Sequence, residues 1–122
     1  MKLFSPSVHR ILDFLTILAL VVTPILGGLG GLIALVLFLL AAVHLILTLA
    51  TRFSAGGGGV VSLWTHGVIE IVVAVGLVAA PYLFGFGIAS PAKRAYVFLG
   101  AWIFLVWILT DYRATSRATA AA

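Results

Sequence analysis

Residues 9–28 read HRILDFLTILALVVTPILGG, and residues 66–85 read HGVIEIVVAVGLVAAPYLFG. Laid over each other at an offset of 57, they match His9 with His66, Asp13 with Glu70, Leu20 with Leu77, Val21 with Val78, Pro24 with Pro81, Leu26 with Leu83 and Gly28 with Gly85. Leucine and valine matches are cheap in a chain that is 64% hydrophobic. A histidine, an acid and a proline recurring at one offset are not. Past the glycines the offset becomes 59. LATRF at residues 49–53 then lies over LTDY at residues 109–112, with Thr51 on Thr110 and Phe53 on Tyr112. The chain reads as a duplication. Each copy is an apolar segment, a glycine turn and a second apolar segment.

Only 8% of the residues are charged, against about a quarter in soluble domains. A soluble fold of this composition would expose one continuous apolar surface. Four stretches, residues 7–27, 31–51, 60–83 and 91–111, approach or exceed the roughly 20 residues that a helix needs to cross a hydrocarbon core. Helices are the expected spans, because an open sheet edge cannot be satisfied in lipid. The fold class is therefore an all-α integral membrane protein with four transmembrane helices in two hairpins. The first hairpin covers residues 1–53, a glycine-rich linker 54–59, the second hairpin 60–112 and a flexible tail 113–122. The first segment does not read as a signal peptide, since it carries Asp13 and no small-residue cleavage site precedes a polar domain. Ser5-Pro6 and Ser90-Pro91 read as helix starts, a capping hydroxyl followed by proline. Gly76 and Ala80 form the best small-residue packing motif.

An even number of crossings returns the chain to its starting side, so the copies are parallel repeats, related by a pseudo-twofold axis along the membrane normal. The side holding both termini and the linker carries Lys2, Arg10, Arg52, Arg113 and Arg117, and the other carries Lys93 and Arg94. That bias places both termini in the cytoplasm. The net charge of +4 is scattered over the segment ends, which argues against nucleic acid as a partner. There is no cysteine, hence no disulfide or thiol chemistry.

The segments TPILGG (residues 23–28) and APYLFGF (80–86) each close a first helix and lead into a second. With the helix head SPSVHRILDFLT (5–16) and the late LTDY, they resemble the SPW-repeat membrane proteins. Thr23-Pro24-Ile25 and Ala80-Pro81-Tyr82 stand where that family has Ser-Pro-Trp, so the proline and the trailing Leu and Gly carry the likeness. The resemblance covers residues 5–112. It implies a two-hairpin fold in a bacterial inner membrane. It implies no activity, so it assigns no residue a role.

Residues four apart share a helix face, so His9 and Asp13 form one polar step and His66 and Glu70 another. The second helix offers His44, Thr48 and Thr51, and the fourth offers Trp107, Thr110 and Asp111. His44 lies about 10 Å below the end of its helix at 1.5 Å per residue, a depth that Asp13 and Glu70 share. Its counterpart in the other copy is Ile103, so His44 breaks the repeat. Ionisable groups in a spanning helix cost about 2.5–3.5 kcal/mol each on insertion scales and are normally turned inward and paired. The plain reading is structural: the pairs glue the hairpins together. The sharper reading is a functional cluster of His9, Asp13, His44, His66 and Glu70, with Thr48, Thr51, Trp107 and Asp111 in support. Such a cluster could bind or relay a proton, an ion or a small polar ligand. Its three histidines could also serve as metal ligands for zinc or iron, with carboxylate help. A haem held by two histidines, or a quinone or lipid headgroup beside Trp64, Trp107 and Tyr112, is a further option. The sequence requires no cofactor.

Enzyme motifs are absent. No Ser lies within a span beyond its ends, no G-x-S-x-G occurs, and the glycine runs lack the Lys-Ser/Thr of a phosphate loop. The balance is against an enzyme. The alternative to a cluster with its own function is a non-catalytic accessory subunit or assembly factor. Such a protein would pack in the lipid bilayer as a homo-oligomer or within a larger membrane complex.

Overall fold

Serine hydroxyls cap three of the four long helices. In a computed structural model, which describes residues 2–122, the Ser5, Ser62 and Ser90 hydroxyls accept hydrogen bonds from the amides of Val8, Thr65 and Lys93. Pro6 and Pro91 follow two of these caps, in a first turn that needs no amide donor. The long helices are α1 (Pro6–Leu26), α2 (Gly31–Ala50), which follows Gly30 without a side-chain cap, α3 (Leu63–Leu83) and α4 (Pro91–Leu109). All four are long and apolar enough to cross a membrane.

α1 packs along α2, α3 along α4, and α1 also against α4. The inward stripe of α1 is His9, Asp13, Thr16, Leu20 and Pro24, and α3 buries His66, Glu70, Ala74, Leu77 and Pro81 along its length. Polar groups thus fill the end of the bundle where α1 and α3 begin. Below them lies an apolar layer of Leu20, Leu37, Ala41, Ala74, Leu77, Tyr96, Leu99 and Ile103. The outward faces are apolar as well, with Leu18, Leu32, Ile46, Val72, Leu83 and Phe98 exposed. The water-avoiding surface is therefore outside as well as inside, as a lipid-facing bundle requires.

Short extended pieces tie the polar end together. β1 (Thr51–Arg52) pairs in parallel with β2 (Val61–Ser62), and Phe4 makes an isolated parallel bridge to Thr110. The Val60 amide donates to Ala50, and the Leu3 and Phe4 amides donate to Leu109. This pairing draws residues 60–62 out of the third helix, which begins at Leu63 instead of residue 60. Gly59 makes the return possible. Its φ is +136°, and a Cβ there would stand 2.8 Å from the Arg52 nitrogen.

Two expectations meet a different arrangement. Gly76 faces open space, whereas at Gly100 a Cβ would come within 2.8 Å of the Ala74 carbonyl and 2.7 Å of Val78. The close approach of α3 and α4 therefore rests on Gly100, because helix rotation turns Gly76 away from its neighbours. The tail, expected to be without regular structure, forms a short helix α5 (Ala114–Ala121). Its alanines favour helix, and Arg117 pairs with Asp111.

Candidate functional site

The first turns of α1 and α3 deliver His9 and His66, and the next turns deliver Asp13 and Glu70. α2 adds His44 from its C-terminal half. The two polar steps face each other and merge. His9 Nε2 lies 3.2 Å from Asp13 Oδ1 on its own helix and 3.3 Å from Glu70 Oε2 on the other. His66 Nε2 lies 3.6 Å from Glu70 Oε1 and 3.5 Å from Asp13 Oδ2. His44 Nε2 stands at the rim, 3.5 Å from Asp13 Oδ1 and 4.0 Å from Glu70 Oε1. His9 and His66 are fully buried, and Asp13 and Glu70 are nearly so.

Thr110 and Thr51 fix the histidine tautomers. The Thr110 hydroxyl donates to the Val106 carbonyl (2.7 Å), and the Thr51 hydroxyl donates to the Leu47 carbonyl (2.6 Å). With its proton so placed, each hydroxyl oxygen accepts from a ring nitrogen. His9 Nδ1 donates to Thr110 (2.8 Å) and His66 Nδ1 to Thr51 (2.9 Å). The Nε2 atoms are thereby left pointing at the acids. Among the described residues, the Nε2 atoms of His9, His44 and His66 are all buried and none makes a well-formed hydrogen bond.

The carboxylates have their own support. Tyr112 donates to Glu70 Oε2 at 2.6 Å, and Thr48 donates to Asp13 Oδ2 at 3.4 Å. Burial, with the Glu70 charge beside it, holds the Tyr112 phenol protonated well above the usual tyrosine range, so it stays a donor. Phe53 and Tyr112 flank the histidines with ring centroids 5.8 Å from His66 and 5.4 Å from His9. Gly67 gives Tyr112 its room: a Cβ there would sit 2.6 Å from the phenol ring.

Of the residues singled out from sequence, His9, Asp13, His44, His66, Glu70, Thr48 and Thr51 come together. Trp107 and Asp111 do not join them. They line an open hollow of about 410 Å³ at the same end, with Lys2, Trp64, Tyr112 and Arg113. Asp111 turns outward, and its hydrogen bond from Arg117 holds its carboxyl below the usual aspartate range. Tyr112, which the sequence offers only as an aromatic beside a possible quinone or headgroup, belongs to the cluster through its bond to Glu70. Its signal was the alignment with Phe53, which places it beside the cluster but does not reveal the bond to Glu70. A small hollow of about 10 Å³, lined by Leu20 of α1, by Leu40, Val43 and Leu47 of α2 and by Ile69 and Val73 of α3, reaches His44 and Glu70.

No protein-family model, curated protein or solved structure matches the chain.

Proposed function

We propose that this is a four-span membrane protein built around a buried cation-binding centre. Both termini lie in the cytoplasm, and the centre lies in the cytoplasmic leaflet. The observation that carries the reading is the convergence of Asp13 and Glu70 on three histidine Nε2 atoms that have no hydrogen bond. Two carboxylates this close, out of water, cannot both stay ionised without positive charge between them. The imidazoles can supply it in two ways: they carry protons on Nε2, or they share a bound cation with the acids. A helix-to-helix glue would need neither three histidines nor unsatisfied nitrogens, since unpaired buried polar atoms are costly.

The two halves are proposed to be copies of one hairpin, the reading that the sequence matches at offsets of 57 and 59 give. Corresponding contacts support this. Phe4 meets Thr110 as Val61 meets Thr51, the Leu3 amide reaches Leu109 as the Val60 amide reaches Ala50, and His9 donates to Thr110 as His66 donates to Thr51. Every one of these pairs is related by the sequence offsets of 57 and 59. The site would then lie on the pseudo-twofold axis. His44, opposite Ile103, makes it asymmetric.

The test is the double variant Asp13→Asn with Glu70→Gln, which removes the negative charge and keeps the shape. Thermal melting of the wild type in detergent should vary with pH between 5 and 8, or with added divalent metal, and the double variant should lose that dependence. A wild type that melts alike under all these conditions would sink the cation-binding reading.

A further inference from the structure

We infer that the centre holds one divalent first-row transition-metal ion, bound by His9, Asp13, His66 and Glu70, with His44 as a fifth donor on the α2–α3 side. This deepens the cation-binding reading and rests on it.

The spacing of the donors is the first argument. A charge-assisted N–H···O bond is about 2.7–2.9 Å long. The four closest N···O separations here are 3.2, 3.3, 3.5 and 3.5 Å. Ligands bonded to a common metal at about 2.0–2.1 Å stand about 3.3–3.4 Å apart when tetrahedral and slightly closer or farther in a five-coordinate shell. These four N···O separations, which involve both oxygens of Asp13 and Oε2 of Glu70, lie near the edge lengths of a coordination polyhedron and beyond charge-assisted hydrogen-bond lengths. One ligand atom from each of His9, Asp13, His66 and Glu70 can be chosen so that all lie within 4.8 Å of one another.

The orientation of the donors is the second. A metal-bound imidazole usually donates its other N–H to an oxygen acceptor, which fixes the ring and the coordinating nitrogen. His9 and His66 both do this through Nδ1, to Thr110 and Thr51. Glu70 receives the Tyr112 hydroxyl and Asp13 the Thr48 hydroxyl, so every one of the four principal ligands has an outer partner. A pair of structural ion bridges would not need both hydroxyls tied to main-chain carbonyls so that they can only accept.

Charge is the third. Two carboxylates and a divalent ion sum to zero inside an apolar bundle, where any residual charge is costly. The donor set of imidazole nitrogen and carboxylate oxygen, without thiolate, suits zinc, iron(II), cobalt or manganese and disfavours copper(I).

The experiment uses the untagged full chain in detergent, stripped with a chelator and titrated with Zn²⁺, then with Co²⁺ as a visible-spectrum probe. The expected result is one equivalent bound, with Co²⁺ bands of a four- or five-coordinate N/O site. Thr51→Val, which keeps the side-chain shape but removes the acceptor for His66 Nδ1 along with the bond to the Leu47 carbonyl, should weaken Zn²⁺ binding about 10–100-fold, the usual effect of losing an outer-shell partner. His44→Leu should change the Co²⁺ spectrum and weaken binding while the protein stays folded, because Ile103 already fills the matching place in the other half. Asp13→Asn should weaken binding most. A folded wild type that takes up neither metal overturns the inference, as does uptake that Thr51→Val, His44→Leu and Asp13→Asn all leave unchanged. If that metal-free wild type still melts with a pH dependence that Asp13→Asn removes, the metal assignment falls and the cation-binding centre stands, filled by protons.

Discussion

At the scale of single residues, the cluster is ordered by groups that carry no charge. Thr51 and Thr110 spend their protons on carbonyls one turn back and so can only accept from the histidines. Tyr112 holds Glu70 from outside, and Gly67 leaves the ring its place. This gives a paired prediction. Tyr112→Phe keeps the ring and loses one hydrogen bond to a buried carboxylate, which should cost about 1.5–3 kcal/mol. Gly67→Ala adds a methyl where no space exists, which should cost about 1–3 kcal/mol by overpacking. Combining the two should cost less than their sum, since both act by loosening one Tyr112–Glu70 contact. Thermal or denaturant melting of the three variants in detergent checks this, and strict additivity would contradict the shared mechanism.

At the scale of elements, the bundle is set by caps and close approaches. The serine caps of α1, α3 and α4 were legible as Ser5-Pro6 and Ser90-Pro91, with Ser62 the exception because no proline marks it. The contact between α3 and α4 was not legible, because glycine spacing within one helix does not say which side its partner occupies. Gly100→Ala should destabilise the protein by about 1–3 kcal/mol, as its methyl would press on the Ala74 carbonyl and Val78. Gly76→Ala meets nothing and lies inside a helix, so it should be neutral or stabilising by about 0.5–1 kcal/mol. Melting temperatures that moved in the opposite order would show that α3 and α4 pack on another face.

At the scale of the whole molecule, an apolar exterior surrounds a polar layer at one end. If the four helices cross the bilayer, both termini share a side, which the proposed reading puts in the cytoplasm by its excess of basic residues. A reporter active only outside the cytoplasm, fused after Ala122, should give no signal. Strong signal would move the cluster to the other leaflet. Sequence alone determined that there are four long helices apolar enough to cross a membrane, because apolar stretches of this length that must satisfy every backbone group in lipid favour helices. It also determined that His9 and Asp13 share a face, as do His66 and Glu70, because helical pitch fixes neighbours four apart. It could not determine that the two faces become one site. That depends on how each helix is rotated and which helix it meets, and periodicity along one segment is silent on both. The same limit hid Tyr112 and turned Asp111 from a candidate ligand into a partner of Arg117. Only tertiary packing brought Thr51 under His66, Thr110 under His9 and His44 to the rim, because those contacts join segments from 15 to 101 residues apart in the chain.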